Sequence, residues 1–425
     1  MVKKGGAKYI AIVLSNVANA LQKVILPYIQ DNLNKQVILF DQLKRNTGVT
    51  FMNDYFYAPL RTSRHGGVVA LANDGDTLVS GKASIGQAKV GVKIMTGTFD
   101  ISKLVLEATK TAKGAVENQL TFQASSLAND FAKSINRQYY SDGLGVIAEV
   151  SGSSGTATGT MTYIGTSAGT NDTRLLDTYG SINGDISPTE YIFPDMILQL
   201  GSAGATAATV SSVSGNVVVF TSQNGITAGQ AVYAIDGSGS GAGTAEIEGV
   251  RAALSSSTGT SKYADVARST IGWTPQVGTA SGALTLGTME QTYLAAKKYA
   301  QMGDQYAIFM NKTLYRKYAD ILTAMRRTVN ETELLGGWTG LEFAAGAGKV
   351  GVFLDYDVPD GEVLILNLDS WTICQVSDLG WLEDVREGAL FRRPDKITYQ
   401  ATMAWFTNLL CRAPAANGRL TQKTA

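Results

Sequence analysis

Apolar residues recur at three- and four-residue steps from Ile10 through Val13, Val17 and Leu21 to Val24. That period marks one face of a helix. Pro27 ends the run, because proline cannot continue a helix. A second stripe follows at Ile29, Leu33, Val37 and Phe40. Together they read as a two-part arm that packs on something outside itself. The clearest helix lies at 114–140, where Val116, Leu120, Ala124, Leu127, Phe131 and Ile135 form a narrow seam on one face. Asp142-Gly143 stops it. At about 1.5 Å per residue it is about 40 Å long, a structural spine.

Residues 66–101 read as one long β-ribbon. Val68-Val69-Ala70-Leu71 runs into the turn residues Asn73-Asp74-Gly75-Asp76. Beyond them Val90, Val92 and Ile94 alternate with Gly91, Lys93 and Met95, as in a strand with one wet face. A two-stranded ribbon is marginal alone in water, so this one should lie on another subunit or move freely.

Between Lys133 and Lys262 there is no lysine, and Ser, Thr, Gly and Ala dominate. Short β runs at 196–200, 208–210, 217–220 and 231–235 are separated by Ser214-Gly215-Asn216 and Gln223-Asn224-Gly225. That spacing predicts a small barrel or sandwich over about 152–245. Its expected core faces are Ile197, Leu198 and Leu200, then Val217 and Val219, then Val232, Tyr233 and Ile235. Gly237–Gly243 reads as a flexible return linker and a loose tether. An α/β pattern then resumes, with helices at 288–302 and 312–325. Strands are expected at 306–310, 350–354, 362–368, 371–376 and 399–411.

The length of 425 residues suggests two or three domains. Charged residues are 17%, against about 25% in an ordinary globular chain. Lys+Arg and Asp+Glu are both 36, so the net charge is zero. A phosphate-gripping protein usually carries a basic face on a high pI. Few charges at zero net charge also make a poorly soluble monomer. The sequence pI of about 6.6 argues against a phosphate-gripping protein, and the few charges favour burial against copies of the same chain. No run of about 18 apolar residues occurs, so no membrane span is expected. Lys3, Lys4 and Lys8 precede the apolar run 9–14, and Ala18-Asn19-Ala20 has the shape of a signal-peptidase site. Ser15 and Asn16 interrupt that run, so the amphipathic helix is preferred.

Catalytic and metal chemistry finds little support. His65 is the one histidine, and no orienting partner for a general base can be named. Cys374 and Cys411 give neither metal spacing nor a disulfide framework, and buried free thiols are expected. Gly346-Ala-Gly-Lys-Val-Gly351 matches a dinucleotide fingerprint, but it runs on into a strand where a helix is needed. Asp74 and Asp76 read as turn residues. The arginine pairs Arg326-Arg327 and Arg392-Arg393 stand near Glu331 and Glu333, and near Glu387 and Asp395. Ion pairing suits them better than phosphate binding, which needs uncompensated positive charge. No enzyme activity, metal or cofactor is expected.

Tyr399-Gln-Ala-Thr-Met-Ala-Trp-Phe-Thr-Asn408-Leu-Leu-Cys411-Arg-Ala-Pro414 is an aromatic strand, then Asn-Leu, then a Cys-x-x-Pro turn. Val358-Pro359-Asp360-Gly361 leads the strand pair before it. Following an arm, a Gly-punctuated ribbon and a spine helix, this order resembles the tailed-bacteriophage major capsid proteins of the Hong Kong 97-type fold. The likeness covers about 1–150 and 250–425.

It implies an α+β chain. Residues 1–65 would be the N-terminal arm and start of the P domain, 66–101 the E-loop, and 102–151 the P domain with its spine. Residues 152–245 would be an inserted β domain, 246–284 the return to the P domain, 285–375 the A domain, and 376–425 the closing part of both. It further implies hexamers and pentamers of an icosahedral shell around double-stranded DNA, held without sequence-specific binding. Scaffolding and portal proteins are implied partners and a decoration protein a further one, with scaffolding a separate protein. The place would be the virion, assembled in the host cytoplasm. Assembly contacts would fall on Arg61, Arg64, Lys82, Lys89 and Lys93 and on Arg326, Arg327, Arg392 and Arg393. Some family members crosslink a lysine of this loop to an asparagine. Lys82 and Lys89 are the lysines so indicated, but no asparagine or acid is identified and no crosslink is expected. An encapsulin-type compartment is the rival on the same fold. A secreted β-rich enzyme or adhesin is the rival of another class.

Overall fold

The computed structural model describes residues 37–70, 80–103, 113–153, 158–162, 191–200, 207–214, 217–221, 230–234, 246–255, 262–324, 332–334, 338–345, 348–359, 361–382, 390–392 and 397–424. The expected arm before residue 37, the turn at 73–76 and the linker at 237–243 lie outside them. The chain divides into two compact units. One holds residues 1–41, 94–136 and 375–407; the other holds 42–93, 137–374 and 408–425.

Strand and helix labels run in chain order over the elements that position the site. They are β1 (Thr50–Met52), β2 (Tyr55–Arg61), β3 (Ile85–Gly91), β4 (Lys93–Ser102) and α1 (Lys113–Tyr140). Then come β5 (Val146–Ser153), β6 (Thr158–Thr162), β7 (Ile197–Leu200), β8 (Ala207–Ser214), β9 (Val217–Phe220) and β10 (Ala231–Ala234). After them follow β11 (Gln276–Gly278), α2 (Leu286–Lys297), β12 (Tyr306–Met310), α3 (Lys312–Ala324), β13 (Trp338–Ala345), β14 (Gly348–Leu354) and β15 (Val363–Asn367). The remainder are β16 (Trp371–Gln375), β17 (Gly380–Trp381), β18 (Leu390–Arg392), β19 (Thr398–Cys411) and β20 (Gly418–Leu420).

In the first unit, β4, β17 and β18 all pair with the long strand β19. Ala124, Ala128, Phe131, Ala132 and Ile135 of α1 are buried. Gly97 of β4 lies against the helix: a Cβ there would meet Leu127 Cδ1 at 2.9 Å, so a larger residue would displace the Leu127 side chain. Phe99 meets Trp381 edge-on at 5.8 Å, and Phe40 meets Trp405 likewise at 5.7 Å. Such pairs add about 0.5–1.5 kcal/mol beyond their buried area.

The second unit contains a seven-stranded mixed sheet in the order β11, β20, β15, β12, β14, β13 and Thr332–Leu334. β12 and β15 are buried at every position, as their unbroken apolar sequences require. Met289, Tyr293 and Ala296 of α2 and Leu314, Tyr318 and Leu322 of α3 pack on this sheet at helical steps. Thr285 caps α2 by accepting from Thr288 N at 3.3 Å. Asn311 Oδ1 accepts from Thr313 N at 2.9 Å at the start of α3. Beneath the sheet edge, Glu362 is gripped by both oxygens from Arg419, at 3.0 and 2.7 Å, and approached by Arg251 at 3.4 Å. All three side chains are buried. The bidentate geometry offsets a desolvation cost of several kcal/mol per ion.

β5 to β10 close into a six-stranded barrel, in the order β9, β6, β5, β10, β7, β8. It starts at Val146, six residues before the expected boundary. Its core includes Ile147, Val150, Ile192, Leu198, Leu200, Val210, Val218, Phe220 and Val232. Val218 and Phe220 point inward, while Val217 and Val219 are only half-buried, the reverse of the expected parity. A Val-Val-Val-Phe run leaves parity open by alternation alone. The large Phe220 ring decides it, because it has the most apolar area to remove from water.

Candidate assembly surface

The ribbon is a three-stranded antiparallel sheet in the order β1, β2, β3. Its strands are Tyr55–Arg61 and Ile85–Gly91, not the expected run from Val68, and Val68-Val69-Ala70 is not in a strand. Asn53 and Asp54 both have positive φ (49 and 63) and make the two-residue turn between β1 and β2. That geometry matches the twist of paired strands. Beyond the sheet the two arms touch again. A Cβ on Gly81 would lie 2.2 Å from Gly67 N, so only glycine permits this approach.

The inner face of the ribbon is Phe56, Ala58, Ala88 and Val90, all buried. Its root rests on a second tight turn at Ala264-Asp265, again with positive φ at both residues (49 and 62). Lys89 N donates to Ala264 O at 2.9 Å, and Lys89 Nζ lies 3.1 Å from Asp265. The hydrogen bond that Lys89 donates to Asp265 raises the Lys89 pKa, and the bonds that Asp265 accepts from Lys89 and Lys262 lower its own. At the same root, Asn408 Nδ2 donates to Gly91 O at 2.7 Å, and Asn408 Oδ1 accepts from Glu248 N at 3.0 Å. Glu248 lies 4.0 Å from Lys93. Burial pushes its carboxyl pKa up, against the opposing pull of Lys93 and Asn408.

The outer positions carry apolar side chains in water. On the outer face Met52, Tyr55 and Ile85 are exposed, Ile85 at 80%; Phe51 is exposed on the other face, beside Phe56 at 5.3 Å between ring centres, and Val68 and Val69 are exposed beyond the sheet. Scattered exposed apolar residues are ordinary, but a group of this size on and beside one three-stranded sheet marks an interaction surface.

Among the basic residues named from sequence, Arg61, Arg64 and Lys82 are exposed towards the far end of the ribbon, with Arg61 Nε donating to Ser63 O at 2.8 Å. Lys89 and Lys93 stand at its root, facing acids. Arg392 is exposed on β18, in the first unit. Arg326, Arg327 and Arg393 lie outside the described residues. Sequence reasoning missed Asp265, whose Ala-Asp turn has no Asn-Gly signature, and Glu248, which no motif marks. Asn408 was within the closing motif, without a role. His65 is exposed and accepts from Gly67 N at 3.1 Å. Gly348–Gly351 of the glycine fingerprint lies in β14. Both cysteines are free and buried. Among the described residues, no group of three potential metal ligands occurs and no helix is long and apolar enough to cross a membrane.

No protein-family model matches the chain, and no curated protein matches it. Solved structures do. A cyanophage A-1(L) capsid asymmetric unit is 14% identical, covers 91% of this chain and 92% of its own, and has a TM-score of 0.52. The capsid of an empty GTA particle is 11% identical over 100% of this chain and 96% of its own, with a TM-score of 0.43. The SrpI encapsulin from Synechococcus elongatus PCC 7942 is 12% identical over 35% of this chain and 53% of its own, with a TM-score of 0.29. The latter two are too distant to bear on the fold. With the cyanophage match running through nearly the whole length of both chains, this protein has the fold of a phage capsid protein.

Proposed function

We propose that this chain is the shell subunit of a phage head, of the Hong Kong 97 type, building hexamers and pentamers of an icosahedral shell around double-stranded DNA. The ribbon is then the E-loop, laid across a neighbouring subunit. The observation that carries this is the ribbon's outer face: Met52, Tyr55 and Ile85 stay in water while the inner residues pack on the same chain. Burying them on a neighbour gains roughly 1.5–3 kcal/mol per large side chain. The cyanophage likeness supports the shell reading at the level of fold. The barrel is an inserted domain that projects outward, since a lysine-free segment from 134 to 261 has little to offer packaged DNA. The reading makes the protein a structural component of the virion rather than an enzyme. Scaffolding, portal and decoration proteins are its partners, and the basic residues of the ribbon and of 326–327 and 392–393 are its assembly contacts. Electron microscopy and light scattering of the purified chain test it. Closed or sheet-like particles are expected, and a stable monomer at micromolar concentration and physiological salt would overturn it.

A further inference from the structure

Both crossings between the barrel and the sheet-bearing body meet the last turn of α1. Outbound, the helix ends at Tyr140, and Gly143 and Gly145, both at positive φ, turn the chain into β5. On the return, Ile247 N donates to Gln138 Oε1 at 3.1 Å. A Cβ on Gly249 would meet the carbonyl oxygens of Gln138, Tyr139 and Ser141 at 2.3–2.6 Å, so the return strand lies directly on the helix end.

One arginine touches both sides of this junction. Arg137, buried on α1, donates to Glu246 Oε1 on the return crossing. Its guanidinium also lies 5.7 Å from the centre of the Tyr191 ring. Tyr191 precedes Ile192, a residue of the barrel core. The Tyr191 hydroxyl donates to Asp357 Oδ1, in the turn after β14. Asp357 N donates in turn to Asp355 Oδ1 at 3.0 Å, and Asp355 Oδ2 accepts from Tyr140 at 3.1 Å. The contacts form a ring from the helix end through the barrel flank and the body turn back to the helix end, with the return crossing held on Arg137.

We propose that Arg137 and Tyr191 form a latch that holds the barrel at one fixed attitude on the body, and that opening it lets the barrel turn separately on its two crossings. The Gly-Ser composition of 237–243 points to a loose tether; the latch gives the opposite mechanical behaviour. Its parts are directional. A guanidinium–carboxylate bond fixes distance and plane, and a cation over an aromatic face fixes the ring beneath it. Both sides belong to one chain, so the latch does not depend on the shell reading.

The test uses the full chain with a fluorophore on Ser212→Cys, an exposed position of β8, the native cysteines being buried. Time-resolved anisotropy of the parent should show dye motion and overall tumbling only. In Arg137→Gln/Tyr191→Phe an added correlation time, that of a barrel-sized body, is expected. Tyr191→Phe alone, which keeps the ring under the arginine, should show it at smaller amplitude. Hydrogen exchange across the barrel strands reports whether the barrel remains folded. If the double variant loosens the barrel itself, Tyr191→Phe combined with Asp357→Asn carries the same test. An independent barrel motion already present in the parent, or none in the folded variants, would overturn the latch.

Discussion

Trp371 donates its indole N–H to Asn417 Oδ1 at 2.9 Å, deep in the sheet-bearing unit where both side chains are buried. The same oxygen accepts from Asn367 N at 2.8 Å, and Asn417 Nδ2 donates to Ser370 Oγ at 3.0 Å and Ala413 O at 2.9 Å. One amide thus joins the end of β15, the start of β16 and the turn after β19. Removing it strands two donors away from water at about 1–3 kcal/mol each. Asn417→Ala should therefore cost about 2–6 kcal/mol in urea unfolding. A loss below about 1 kcal/mol would mean that water or a rearranged turn replaces the amide.

The two thiols should be inert in the folded protein. Burial pushes both Cys374 and Cys411 up to about 12, despite the opposing charge of Arg412. The thiolate is the reactive form and is scarce at pH 8. A thiol reagent should modify neither residue in the native protein and both in denaturant. Rapid modification of either one in the native state would contradict the packing around β16 and β19.

Ile85 separates folding from assembly. It is 80% exposed, so Ile85→Asp should leave the unfolding free energy of the dissociated subunit within about 0.5 kcal/mol of the parent. The same change should abolish particles seen by light scattering, because a neighbour would have to bury the carboxylate unpaired. Normal particles from this variant would move the contact surface off the outer face of β3.

Glu248 gives a pH dependence with a definite sign. Its folded pKa is raised, mainly by burial, so the folded state holds its proton more tightly than the unfolded chain does. The stabilisation is fully present below the ordinary value of 4.5 and is lost as pH rises through the raised folded value. Glu248→Gln cannot titrate and should flatten that stretch of the profile. Denaturant midpoints followed upward from pH 4 test this; parallel profiles for parent and variant would refute it.

The spine helix, β12, β15 and β19 were legible because each is long or unbroken in its apolar pattern, and burial follows such patterns closely. The ribbon was legible as an object but misplaced along the chain. Pro59 stands inside β2. It is tolerated because β1 pairs only with 55–57, leaving that side of β2 open where proline's missing N–H does no harm. Val68 and Val69 looked like strand residues, yet no strand among the described residues covers them. The barrel was readable from turn spacing, but not the facing of Val217–Phe220. Arg137, Tyr191 and Asp357 carry no local pattern at all. They are brought together from far apart in sequence, and only the closed fold shows that they meet.

The place of β20 in the sheet sets a timetable for synthesis. It lies between β11 and β15, pairing parallel with one and antiparallel with the other. About 140 residues separate β11 from it in sequence. At a ribosomal rate of about 5–20 residues per second, β11 waits about seven to thirty seconds for its partner. Until then it and the outer edge of β15 present unpaired backbone, the kind of edge that recruits strands from other chains. On a polysome making many copies at once, the nearest such strand is residues 418–420 of the copy ahead.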